Sequence, residues 1–161
     1  MGTLNAVIHA KFLYVLKWSD DRTWGVDMPP IDGDLVYVPP GLTLLIDQNT
    51  PNLIGITVAN GTIIIPNNTD ISIRGGFLTM IGGNFIAGSE EQPFYGNLSI
   101  TLTGGYYGKQ QPLFGNKVLG CLDCRLSLYG RPRLTWATLA NTIVAGDSFF
   151  TLNEPNDWTV G

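Results

Sequence analysis

Charge is scarce in this sequence: only 14% of its 161 residues are charged, with nine Lys and Arg against thirteen Asp and Glu. A nucleic-acid partner needs a basic track along its phosphates, and the densest basic group, Arg125, Arg131 and Arg133, is too thin to supply one. Nucleic acid is therefore not expected as a partner. Histidine occurs once, at His9, and there is no Ser-His-Asp logic, Gly-rich phosphate loop or GxSxG motif, so nothing points to nucleophilic catalysis. Long hydrophobic runs are missing too. The longest N-terminal one, Ala6 to Trp18, is broken by His9 and Lys11, is too short to span a bilayer and lacks a signal-cleavage pattern, so no direct membrane insertion is expected. The MGT start looks like the border of an expressed piece of something longer. Residues 1–11 are accordingly read as an edge or linker and residues 12–161 as a single β domain.

Helix signals are nearly absent, because no window of a dozen residues holds a 3.6-residue apolar period without meeting Gly, Pro or Asn-Gly. What the sequence does have is 44% hydrophobic residues, 20 Gly and 10 Pro, the composition of many short strands joined by tight turns. Strands are expected at 12–18, 34–38, 42–47, 53–58, 62–65, 71–73, 77–81, 98–103, 125–129 and 149–152, all rich in Val, Ile, Leu, Phe, Thr and Tyr. Four stretches share one form, a short apolar strand, a two- or three-residue corner and a second strand: ITV-ANG-TIII, ISI-RGG-FLTM, ITL-TGG-YYG and VLG-CLD-CRLSL. Such units read either as β-hairpins, for which Asn60-Gly61 is a strong turn signal, or as rungs of a solenoid in which the same corner recurs. The expected fold is all-β, a single-domain β-solenoid resembling a right-handed parallel β-helix, with loops inserted at 82–97 and 104–117. A β-sandwich is the alternative.

The two cysteines, Cys121 and Cys124, fall at a corner where neighbouring units carry Asn-Gly or Gly-Gly. A redox C-x-x-C needs a helix N-terminus to lower its thiol pKa, and strands flank this one. Structural zinc usually takes four ligands, and only the distant His9 could join the pair. A local disulfide in an oxidising compartment, or two buried thiols, remain; the disulfide would contribute about 2 kcal/mol. Three N-x-[ST] sequons begin at Asn60, Asn67 and Asn97, each beside an expected turn, and make these the candidate glycosylation sites. The acids Asp20-Asp21, Asp32-Gly33-Asp34 and Glu90-Glu91 read as solvated turn or cap residues. Calcium is the one cation they could serve, although D-x-D supplies only two of the oxygens it wants, and no other cofactor is expected. Paired carboxylates for glycosidic chemistry must face each other at a set separation, which the sequence does not display. Among Trp18, Trp24, Trp136 and Trp158 the expectation is core packing or end-capping of the strands, with sugar stacking as the alternative. A ligand surface, if present, is expected to draw on Trp24, Asp32, Asp34, Glu90 and Glu91.

Read end to end, the chain resembles the eight-glycine domain of fibrocystin-type proteins and cell-surface hyaluronidases. The resemblance rests on W-S-D at Trp18, T-W-G at Trp24, P-P-x-x-G-D from Pro29 and V-P-P-G from Val38. It continues through L-L-I-D-x-x-T-P from Leu44, G-S-E-E-x-P-F from Gly88, G-N-K from Gly115, L-x-L-x-G ending at Gly130, W-x-x-L at Trp136 and D-W-x-V-G at the end. Two departures stand out: the cysteine pair replaces a Gly-Gly-type turn, which strengthens the disulfide reading, and Tyr129 stands where His is common. The chain also ends before the hydrophobic strand that the family pattern would place next.

The resemblance implies an extracellular or cell-surface module of a large receptor-like glycoprotein, in the manner of the fibrocystin branch and its ciliary proteins. Its partners would be neighbouring domains of the same chain and an extracellular protein or glycan ligand. The hyaluronidase relatives imply the alternative, a component that recognises or processes hyaluronan. An unrelated extracellular adhesion domain is the third reading. No catalytic residue is assigned, and the isolated domain is expected to lack hydrolase activity.

Overall fold

A computed structural model of the chain describes residues 14–26, 28–105, 108 and 110–158. The expected edge segment 1–11, with His9 and Lys11, and the first two residues of the expected 12–18 strand lie outside the described residues. The chain divides into two compact units, Met1–Gly130 and Arg131–Gly161.

The first unit is a stack of coils. Its strands fall into three sheets, and alternation decides which side of each strand faces inward: in Thr62–Ile65, for example, Ile63 and Ile65 are buried while Thr62 and Ile64 are not. The first sheet orders β1 (Val15–Lys17), β3 (Thr43–Leu45), β6 (Thr62–Ile65), β9 (Asn84–Ala87) and β12 (Arg125–Leu128). The second orders β2 (Leu35–Val38), β5 (Gly55–Ala59), β8 (Phe77–Ile81) and β11 (Val118–Leu122); the third orders β4 (Asn52–Leu53), β7 (Ile71–Gly75) and β10 (Leu98–Leu102). The chain visits the third, second and first sheets in turn through β4-β5-β6, β7-β8-β9 and β10-β11-β12. Every ladder between named strands is parallel and joins one coil to the next. Hairpins would have paired β5 with β6 antiparallel across Asn60-Gly61; instead these strands belong to different sheets, and the Asn-Gly pair is a solenoid corner.

Register stacks like on like. Leu44, Ile63 and Phe85 form one inward row, and Val36, Ile56 and Leu78 another, all at most 4% exposed. On the last coil the same rows continue into Leu126 and Leu119, which are 41% and 39% exposed. At the first-coil end Trp18 is 1% exposed and meets Trp24 edge-on at 5.0 Å, while Trp24 Nε1 donates to the Trp18 carbonyl at 3.1 Å. A short 3₁₀ turn, Asp21–Trp24, brings Trp24 there, capped by Asp20. Trp18 and Trp24 thus take the packing and end-capping role expected of the four tryptophans, whereas Trp136 and Trp158, 72% and 46% exposed, do not.

Three strand assignments differ from the sequence reading. Residues 84–87, expected as loop, form β9 and bury Phe85 completely, because two apolar residues suffice where both neighbouring strands supply the ladder. The expected 53–58 strand is two strands, β4 and β5, turning at Ile54 between sheets. The expected 149–152 strand contributes only one antiparallel bridge, Leu152 to Leu139. That bridge lies in the second unit, where Trp158 Nε1 also donates to the Leu134 carbonyl and Arg131 approaches Asp157 at 3.8 Å.

Candidate functional site

The loop after β9 rises beside the outer face of the first sheet and encloses a groove of about 420 Å³. Outward positions of β9 and β12 supply the floor, Asn84 and Ile86 from one strand and Arg125 and Ser127 from the next, since parallel register sets Asn84 beside Arg125 and Ile86 beside Ser127. Ser89, Glu90 and Glu91 form the loop wall, and Tyr129 stands at the end of β12. Glu91 accepts the Ser89 hydroxyl at 3.1 Å, and that hydroxyl accepts the Gln92 backbone N–H at 3.0 Å, which folds the tip into a tight turn. Glu90 and the Arg125 guanidinium form no ion pair or side-chain hydrogen bond among the described residues. The groove thus offers one cation, two carboxylates, an amide, hydroxyls and a phenol ring, a set suited to hydrogen-bonding a polyhydroxylated or mixed-charge ligand.

The five residues expected at a ligand surface are not gathered at one place. Glu90 and Glu91 line the groove. Asp32 accepts the Asn52 backbone N–H at 2.7 Å and Asp34 accepts that of Ile31 at 2.9 Å, so both brace the turn that leads into β2. Trp24 belongs to the end cap. No group of three or more His, Cys, Asp or Glu side chains placed to hold a metal occurs among the described residues. The resolved pKa shifts lie at the cap as well: side-chain hydrogen bonding to Arg22 holds the Asp20 carboxyl below its usual 3.8, and Asp20 in turn raises Arg22. Asn84, Arg125, Ser127 and Tyr129 escaped the sequence reading. Setting the Asp123-Cys124 corner over Gly82-Gly83 would have placed Arg125 over Asn84, but with 82–97 taken as an inserted loop that alignment is not made from the sequence; the structure supplies it.

Cys121 and Cys124 are joined as a disulfide across the corner between β11 and β12, with Cα atoms 5.5 Å apart. Cys121 continues the row of Val58 and Met80, and Cys124 packs against the core. The sequon residues are all exposed: Asn60 at the β5–β6 corner, Asn67 in the turn after β6 and Asn97 immediately before β10. No helix among the described residues is long and apolar enough to cross a membrane.

A sequence profile of the G8 domain matches residues 23–140. Fibrocystin-L of Homo sapiens is 37% identical over 155 residues, which cover 95% of this chain and 4% of that protein. Fibrocystin of Mus musculus is 34% identical over 152 residues, 93% of this chain and 4% of its own length. Protein rliB of Dictyostelium discoideum is 24% identical over 157 residues, 91% of this chain and 14% of that protein. The chain therefore spans a small part of the relatives it matches. No solved structure matches it significantly.

Proposed function

Because this chain belongs to the G8 domain family, we propose that it is a non-catalytic extracellular module of a large receptor-like surface glycoprotein, holding neighbouring domains or presenting a ligand surface. The observation that carries this reading is the likeness along 95% of the chain to fibrocystin-type proteins of which it spans 4%. A disulfide at an exposed corner supports an oxidising compartment. The disposition of the acids supports a non-catalytic role. Glycoside hydrolysis needs two carboxyls flanking the scissile bond, whereas Asp32 and Asp34 are occupied by backbone N–H groups and Glu90 and Glu91 are neighbours on one loop. Neither a cofactor nor calcium is required by this reading. Its partners are adjoining domains of the same polypeptide and an extracellular protein or glycan; nucleic acid and the bilayer interior are not among them.

The groove over the first sheet favours a second reading, glycan recognition without cleavage. Arg125, Asn84 and Ser127 on a rigid floor can bond sugar hydroxyls or a carboxylate, and Tyr129 offers a ring beside them. Titration of the purified chain with hyaluronan oligosaccharides tests this, with Arg125→Ala expected to abolish any binding that wild type shows. The primary reading is tested by producing the chain behind a secretion leader in animal cells. Folded protein should reach the medium with both cysteines refractory to alkylation until reduced. Retention inside the cell, with proper folding only in a reducing cytosol, would contradict it.

A further inference from the structure

We infer that Asn60 is the N-glycosylation site of this domain and that Asn67 and Asn97 are structural asparagines despite their sequons. The inference rests on the extracellular reading and goes beyond it by separating three motifs that look alike in sequence. Asn67 is a clamp: its Nδ2 donates to the Pro93 carbonyl at 3.0 Å, and its Oδ1 accepts the backbone N–H groups of Asn68 and Tyr95, each at 2.8 Å. These bonds tie the turn after β6 to the 93–95 segment one coil away. Asn97 is held by Asp70, whose Oδ1 accepts both its backbone N–H at 2.8 Å and its Nδ2 at 3.0 Å. An oligosaccharide on either Nδ2 would have to lie between two chain segments that the native amide holds together.

Asn60 has a different setting. Its side-chain amide bonds to no described residue, and it stands exposed at the corner between the second and first sheets with φ of 51°. The coils above and below carry glycine at this corner: the Gly41 N–H donates to the Asn60 carbonyl at 3.1 Å, and the Asn60 N–H donates to Ile81, next to Gly82. A Cβ on Gly41 would meet nothing within 4 Å, so that side of the corner is open. On the other side the Asn60 carboxamide lies over Gly82, where a Cβ would run into its Oδ1 but stay 3.5 Å from Nδ2. The oxygen, and not the nitrogen that takes the sugar, is therefore the atom set against the neighbouring coil. An attached sugar here displaces no native hydrogen bond.

The modification itself balances simply. A transferase of the secretory pathway takes a proton from Asn60 Nδ2, the nitrogen forms a bond to C1 of the first sugar of a polyprenyl-pyrophosphate-linked oligosaccharide, and the C1–O bond to pyrophosphate breaks. Thr62, the hydroxyl residue of the sequon, begins β6 and is only partly buried.

The test is peptide mapping of the chain produced in animal cells behind a secretion leader, with the medium and the endoplasmic-reticulum fraction analysed separately. Enzymatic deglycosylation should convert Asn60, and neither Asn67 nor Asn97, to Asp. Asn60→Asp should lose the glycan shift and still fold, since Asp123 occupies the equivalent corner of the last coil at φ of 50°; Thr62→Val, which leaves Asn60 in place, should lose it as well. Asn67→Asp and Asn97→Asp should keep the shift and melt at lower temperature. Glycan on Asn67 or Asn97 with Asn60 bare overturns the inference but leaves the extracellular reading standing, and a chain bare at all three positions overturns the inference too. Failure to leave the cell with Asn60 occupied in the reticulum fraction upholds the site and counts against the wider reading.

Discussion

Gly83 sits where a side chain has no room. With φ of +80° and a Cβ that would run into the Gly61 backbone of the coil beneath, it allows successive corners to stack. Gly83→Ala should therefore cost more than about 1 kcal/mol, read as a lowered urea midpoint; an unchanged midpoint would show that the corner can spread. One coil further on, Cys124 takes the place of Gly83, and the disulfide to Cys121 fixes that last corner. Replacing both cysteines with serine should lower stability by about 2 kcal/mol at unchanged secondary structure. At the opposite end, the Arg22 guanidinium bonded to Asp20 depresses that carboxyl. A lowered folded pKa gives stability that is fully present above the unfolded value and is lost as pH falls through the folded one. Asp20→Asn keeps an oxygen for the cap and removes the charge, so its melting temperature should fall less steeply than the parent's below about pH 4. Identical slopes would deny the pair any such part.

Among the strands, β9 carries more than its sequence suggests. Phe85 is fully buried between Ile63 and Leu126 in the inward row, and Phe85→Ala should cost about 3 to 5 kcal/mol, measured by chemical unfolding. A loss below about 1 kcal/mol would show that the coil collapses around the gap. Strands such as Thr62–Ile65 were legible from alternation, and the corner before it from Asn60-Gly61, although the turn at Ile54 that divides 53–58 was not. β9 was not, because Gly82-Gly83-Asn84 reads as a turn and only the ladders from β6 and β12 make the next residues a strand. Likewise, nothing in Asp32-Gly33-Asp34 tells a ligand acid from a turn brace. The distinction lies in which backbone N–H each carboxylate meets, and for Asp32 that is Asn52, twenty residues away.

For the whole molecule, stacking in register turns a sparse set of polar residues into a surface. Arg125 joins Asn84 in the groove only because the insertion between β10 and β11 leaves the β9–β12 register intact, so this half of the site could not be read from local sequence. The other half, Glu90 and Glu91, was visible as an acidic pair in a loop. On the proposed reading, acids that mostly brace the body's own turns leave it to support neighbours or to bind, since moving protons across a scissile bond needs acid–base groups placed at that bond. The most direct measurement is the chain length of hyaluronan incubated with the purified, secreted domain, with and without calcium, against buffer alone. A non-catalytic module leaves the length distribution unchanged in both conditions. Protein-dependent shortening that disappears in Glu90→Gln/Glu91→Gln would contradict it and make the groove an active site.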